Sequence, residues 1–327
     1  VRTFDEIQAD IKAATERDDE RALTALSDEL LAIRTPEAVA LEAVARGRAN
    51  LLVGSYQESL VWLEKAVVLM RECGDLTGVA GALSGVGGVQ SETGEYAKAL
   101  HSYDEARAVF DSLGDMGGVA RMTGNIGIIH RRIGAYEDAL TAYERALAVF
   151  ETLGDLRDVA VVTGNIGIVH HHFGSYPKAL EWFERALELY QRMGNDHGVA
   201  VTTGNIGLVH SATGFYPEAL EWYERSLALC EELGDRSGIA LLTGNIATVH
   251  LATGTLDQAL EWVEMAAALY AELGDRSGEA RSMSIIGNIH RMMRSFSAGF
   301  LPWNEHTRSF WRSVTEVAWL RSRVRWV

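Results

Sequence analysis

Cysteine is nearly missing from this chain. Its 327 residues include only Cys73 and Cys230, which fall at different phases of the repeat described below. They supply neither a disulfide framework nor a metal-ligand spacing, so a reducing, cytoplasmic setting is expected. Proline is almost as rare, with four residues, which removes the commonest helix breaker and favours helix throughout. No 18 apolar residues run together, and nothing near the N-terminus reads as a secretory segment, so the chain is expected to be soluble. Positive charge is also short. Lysine and arginine number 30 against 45 acids, a net charge of −15, which argues against a nucleic-acid footprint over the surface. Neither a G-x-S-x-G nor an H-E-x-x-H signature occurs. The expectation is a protein that is not an enzyme, with no cofactor, no metal and no membrane partner.

What the chain has in abundance is repetition. Gly54, Gly94, Gly134, Gly174, Gly214 and Gly254 stand 40 residues apart. Tyr56, Tyr96, Tyr136, Tyr176 and Tyr216 follow two residues later, and Leu60, Leu100, Leu140, Leu180, Leu220 and Leu260 hold a third phase. A fixed period of this length is the mark of a stacked repeat, in which no unit buries both its faces alone.

Each unit reads as two helices. The first is expected from about Asp115 to Ile133, closing at Gly134 in the left-handed conformation. The second starts near Tyr136, with Pro177 and Pro217 in the first turn, where a missing N–H is harmless. It ends at the glycine of an LGD motif (Gly114, Gly154, Gly194, Gly234, Gly274), and the next residue has the side chain of an N-cap: Asp115, Asp155, Asn195, Asp235 or Asp275. Gly127, Gly167 and Gly207 sit mid-helix, where glycine costs roughly 0.5–1 kcal/mol relative to alanine. They are expected to admit a close approach of Ala139, Ala179 and Ala219, with Tyr143, Phe183 and Tyr223 filling the space to either side.

The small residue at Gly127, then Gly134, Tyr136, Ala139, Tyr143 and Ala146, resembles the signature of the tetratricopeptide repeat family, and Gly87 to Ala106 repeats it. The 40-residue length, with GNIG and LGD motifs, is similar to the longer subclass found in Pins/LGN-type and bacterial signalling proteins. The resemblance implies an all-α, right-handed superhelical solenoid of antiparallel helix pairs. Three regions are expected: an N-terminal helical cap over residues 1–34, six to seven repeats over 35–294, and a degenerate cap or a truncated, frameshifted tail over 295–327. Val1, in place of methionine, fits an alternative start codon or a fragment.

The resemblance also implies that first helices line a concave surface. The inward phases are then Arg121, Gly124, Asn125, Ile128, Arg131 and Arg132 in one repeat, and Val161, Gly164, Asn165, Ile168, His171 and His172 in the next. Val201, Gly204, Asn205 and Leu208 follow, then Leu241, Gly244 and Asn245. No carboxylate stands at these phases, so a neutral-to-basic groove is expected. Asn125, Asn165, Asn205 and Asn245 form a ladder of amides, each able to pair with the N–H and C=O of an extended peptide whatever its sequence. The alternative is that these amides bond to neighbouring helices and hold register. Val161, Ile168, Val201 and Leu208 would meet apolar side chains of a protein or peptide partner, and Arg121, Arg131 and Arg132 would favour acidic ones.

Other periodic features read as structural. His130, His170, His210, His250 and His290 recur in phase, but adjacent repeats set them roughly 16–20 Å apart, whereas zinc needs ligands at about 2 Å. GNIG lacks the preceding strand and the GK[ST] ending of a phosphate loop. Trp182, Trp222 and Trp262 are expected to pack on neighbouring repeats, with self-association as a lesser use. Two functions follow: an interaction scaffold whose groove takes an extended peptide or helix, or the regulatory arm of a cyclase, kinase or helix-turn-helix regulator whose output domain lies outside this chain.

Overall fold

The computed structural model describes residues 4–17, 19–30, 33 and 35–300, and among these every regular element is an α-helix. The chain divides into two compact units, meeting at Gly194 and Asn195. In the first, α1 (Phe4–Glu16) and α2 (Glu20–Leu30) precede four helix pairs. These are α3 (Pro36–Leu52) with α4 (Tyr56–Cys73), α5 (Leu76–Glu92) with α6 (Tyr96–Ser112), α7 (Met116–Arg132) with α8 (Tyr136–Leu153), and α9 (Leu156–His172) with α10 (Tyr176–Met193). The second holds α11 (Asp196–Ala212) with α12 (Tyr216–Leu233), α13 (Arg236–Thr253) with α14 (Leu256–Leu273), and α15 (Arg276–Phe300).

The corners follow the predicted chemistry. Gly134 and Gly154 adopt φ of 81° and 71°, values open to glycine and strained for other residues. Past Gly154 the chain turns at once into α9, where the Asp155 carboxylate accepts the backbone N–H of Asp158 at 3.1 Å. Asp115, Asn195 and Asp235 cap α7, α11 and α13 in the same way, at 2.8, 3.0 and 2.9 Å. Each cap satisfies a donor that would otherwise lack an intrahelical partner.

The mid-helix glycines do admit close approach, though the neighbour is the aromatic ring rather than the alanine. A Cβ at Gly127 would stand 2.9 Å from the Tyr143 ring, one at Gly167 2.7 Å from Phe183, and one at Gly207 2.8 Å from Tyr223. All three rings are buried, as are Ala139, Ala179 and Ala219. The aromatic ring therefore occupies the space that a side chain at the glycine would need. Burying such a side chain contributes roughly 1.5–3 kcal/mol, which outweighs the helix cost of the glycine beneath it.

At the chain's start, Ile7, Ile11, Leu23, Leu26 and Leu30 bury against Leu41 and Ala45 of α3. At the other end α15 runs unbroken to Phe300, past residue 294, where the repeats were expected to end. Arg294 holds the phase of Gly254, and the positive-φ glycines end at Gly274. Without glycine to enter the left-handed region, the helix has no stop there. Pro302 and the tryptophans of the tail lie outside the described residues.

Candidate functional site

Four first helices of the first unit line one groove of ≈ 370 Å³. Its walls carry Gly81 and Ser84 of α5, Arg121, Gly124, Asn125 and Ile128 of α7, and Asp158, Val161 and Asn165 of α9, with Arg48 of α3 at the far end. Phe110, Tyr143 and Phe150 from the second helices close the floor. A helix places residues three and four apart on one face, which is why Arg121, Asn125 and Ile128 appear together, and likewise Asp158, Val161 and Asn165. A second recess of ≈ 230 Å³ shares Arg48 and Gly81 and extends toward Gln8 of α1. The low wall at α5 is real space: a Cβ on Gly81 would meet nothing within 4 Å.

Asn125 and Asn165 thus line this groove, half-buried. Asn205 and Asn245 are half-buried on α11 and α13 of the second unit. None of the four amides makes a side-chain hydrogen bond to a described residue of its own unit, so the register-holding alternative lacks its contact. Val161 is 42% exposed, and Val201 and Leu208 are 50% and 39% exposed. These are high values for aliphatic side chains on otherwise packed helices. Ile168 is half-buried and is not in contact with the groove of the first unit.

The charges differ from the expected pattern. The groove does contain a carboxylate, Asp158, whose Oδ2 stands 3.6 Å from Arg121 Nη1. Burial, followed by the neighbouring Asp155, pushes the Asp158 carboxyl up, while Arg121 opposes the shift. Arg121 also lies 3.9 Å from Asp115. Arg132 donates to the Ser91 carbonyl at 3.0 Å and to Glu92 at 2.7 Å, which ties it to the C-terminal end of α5. Arg131 forms no ion pair among the described residues, and its Nε is buried without a hydrogen-bond partner. The Tyr143 hydroxyl is buried beside it, and Arg131 opposes the burial that pushes this phenol up.

His171 packs edge-on against Tyr176 and His172, with centroids 5.6 and 5.8 Å apart, and His172 stacks on Tyr136 at 5.0 Å. The histidine run is therefore part of an aromatic cluster at the corners of α8, α9 and α10. Burial holds His170, His171 and His172 below the usual imidazole range, helped by Lys178, His172 and Arg131 respectively. Among the described residues no three His, Cys, Asp or Glu side chains are grouped to hold a metal, and no helix is long and apolar enough to cross a membrane. Trp182 and Trp222 are half-buried beneath Arg185 and Arg225, whose guanidinium carbons stand 5.5 and 5.1 Å over the rings.

Asp158 escaped the sequence reading because it belongs to the first helical turn, assigned there to the corner. Its spacing of three residues before Val161 is the signal that could have found it. Tyr143 was legible as core but not as groove lining.

Helix pairs with glycine-stopped corners and a groove on the first helices define an all-α repeat solenoid. The sequence pattern of the tetratricopeptide repeat matches residues 118–192, 158–232 and 198–272. Residues 118–272 therefore carry tetratricopeptide repeats. No curated protein sequence matches it. Among solved structures it is similar to a Rap protein complexed with competence and sporulation factor, at 13% identity over 89% of this chain and 87% of that one, with a TM-score of 0.69. It is similar to the Rap conjugation gene regulator of plasmid pLS20 in complex with the Phr* peptide, at 17% identity over 79% and 76%, TM-score 0.58. It is also similar to a chain of the APC/C hetero-tetramer Cut9–Hcn1, at 18% identity and TM-score 0.66, covering 85% of this chain and 48% of that one. The chain thus spans about half the length of this last relative. At these identities the likeness is one of fold.

Proposed function

We propose that the chain is a non-catalytic interaction scaffold that holds an extended segment of a protein or peptide partner along its first helices. The observation that carries this reading is the amide ladder. Asn125 and Asn165 border an open groove without engaging its walls, and Asn205 and Asn245 keep the same unbonded state on their helices. These amides remain open to water and can exchange it for a partner's groups, and a peptide backbone offers the matching donors and acceptors. The exposed Val161, Val201 and Leu208 would take apolar side chains. Arg131, with no carboxylate partner among the described residues, would take an acidic one. One of the structural relatives is described in complex with a peptide, which supports a peptide as the occupant.

The test is partner capture by crosslinking from the native cell, comparing wild type with Asn165→Ala/Asn205→Ala. Specific partners should be lost from the double variant while its helical circular dichroism is unchanged. Equal capture by a folded double variant refutes the ladder.

A further inference from the structure

The charge arrangement of the first unit's groove specifies its occupant further, on the reading that an extended peptide lies there. Asp158, Val161 and Asn165 form one row along α9, so a segment paired with the Asn165 amide passes the Asp158 carboxylate about two helical turns away. That side chain is only 24% exposed, yet its nearest cation, Arg121, stands at 3.6 Å, longer than a hydrogen bond. Arg121 is also drawn toward Asp115. Arg48, the other guanidinium of the groove, sits on α3, with α5 and α7 between it and α9 in the order of first helices. The loose pairing with Arg121 leaves acceptor positions of the Asp158 carboxylate unfilled, and a partly desolvated carboxylate favours a charge-assisted donor at about 2.7–2.9 Å.

We propose that Asp158 selects a lysine or arginine side chain in the extended peptide, seated next to the residue that packs on Val161. Acidic residues of the same peptide belong at the opposite rim, by Arg131, about 15 Å from Arg121 along α7.

A display library of random heptapeptides panned on the full chain tests this, with Asp158→Asn and Asn125→Ala/Asn165→Ala run in parallel. Wild type should enrich peptides with a basic residue at one fixed position. Replacing that residue by norleucine or citrulline should weaken binding about ten- to a hundredfold on wild type and have no effect on Asp158→Asn. The peptide-side replacement alone decides the matter if Asp158→Asn proves unfolded by circular dichroism. Enrichment with no basic position, or with an acidic residue there, overturns the role of Asp158 and leaves the groove reading standing. No enrichment beyond that on the asparagine double variant overturns both.

Discussion

Two glycines in the middle of α9 give a controlled test of what the packing requires. Gly164 and Gly167 share one helix, so alanine should gain the same intrinsic preference at either, roughly 0.5–1 kcal/mol. Their surroundings differ. An added Cβ meets nothing within 4 Å at position 164, but at 167 it would lie 2.7 Å from both Cδ1 and Cε1 of Phe183. Carbon atoms rest at about 3.5–4.0 Å, so the ring would have to retreat by close to 1 Å. Phe183 is 1% exposed and closely surrounded, and overpacking of this kind costs roughly 1–3 kcal/mol. The propensity gain cancels in the comparison, so Gly167→Ala should be less stable than Gly164→Ala by about 1–3 kcal/mol. Gly164→Ala itself should exceed wild type. Guanidinium unfolding followed by circular dichroism measures both, with equal slopes required for the comparison. Equal stability of the two variants would refute the claim that the ring lies on Gly167.

Two further outcomes follow from the corners. Asp235→Ala removes the acceptor of the Gly238 N–H and should destabilise α13 by about 0.5–2 kcal/mol in the same unfolding assay. Asp235→Asn should retain most of that stability, since Asn195 already caps α11 by the same contact. The histidine cluster should make stability fall in mild acid. Its imidazoles are held below the ordinary value of 6.5 by burial, so the unfolded chain takes up protons first as pH drops. Their contribution is complete above about pH 6.5 and is lost as pH falls below it toward the lowered folded values. Melting temperatures of His171→Gln/His172→Gln between pH 8 and 5 should fall less steeply than those of wild type, and parallel curves would count against the cluster.

The fold was legible because its determinants are local and repeated. A glycine at Gly154 followed by Asp155 states a left-handed stop and an N-cap within two residues, and the structure realises both. The ring over Gly167 was not legible. Sequence shows that a small residue and an aromatic recur together, but not which side chain fills the gap between helices. Asp158 was missed for a related reason. A helix's first turn lies at both the corner and the groove rim, and phase alone assigns it to neither. The α15 outcome turned on one position, Arg294, where loss of the glycine removes the corner. The ladder asparagines were found by phase, whereas their lack of hydrogen-bond partners depends on distances between helices that no single repeat encodes.

The glycines divide into two kinds, and the division bears on function. Gly127, Gly167 and Gly207 are explained by the rings that cover them. Gly124, Gly164 and Gly244 are not: the nearest atoms to an added Cβ are the Ala146 methyl at 4.0 Å, nothing within 4 Å, and the Ala266 methyl at 3.9 Å. Alanine would fit at all three and stabilise each helix. Gly204 is tighter, with Ser226 Oγ at 3.2 Å, so packing alone accounts for that one. The three spare glycines each immediately precede a ladder asparagine, and Gly124 is itself a groove-lining residue. On the proposed reading, the stability given up beside each amide leaves room for another backbone to approach. This reasoning is independent of charge and of any relative. It ties the peptide reading to a measurable opposition: Gly164→Ala should strengthen the fold while weakening whatever the Asn165 amide holds.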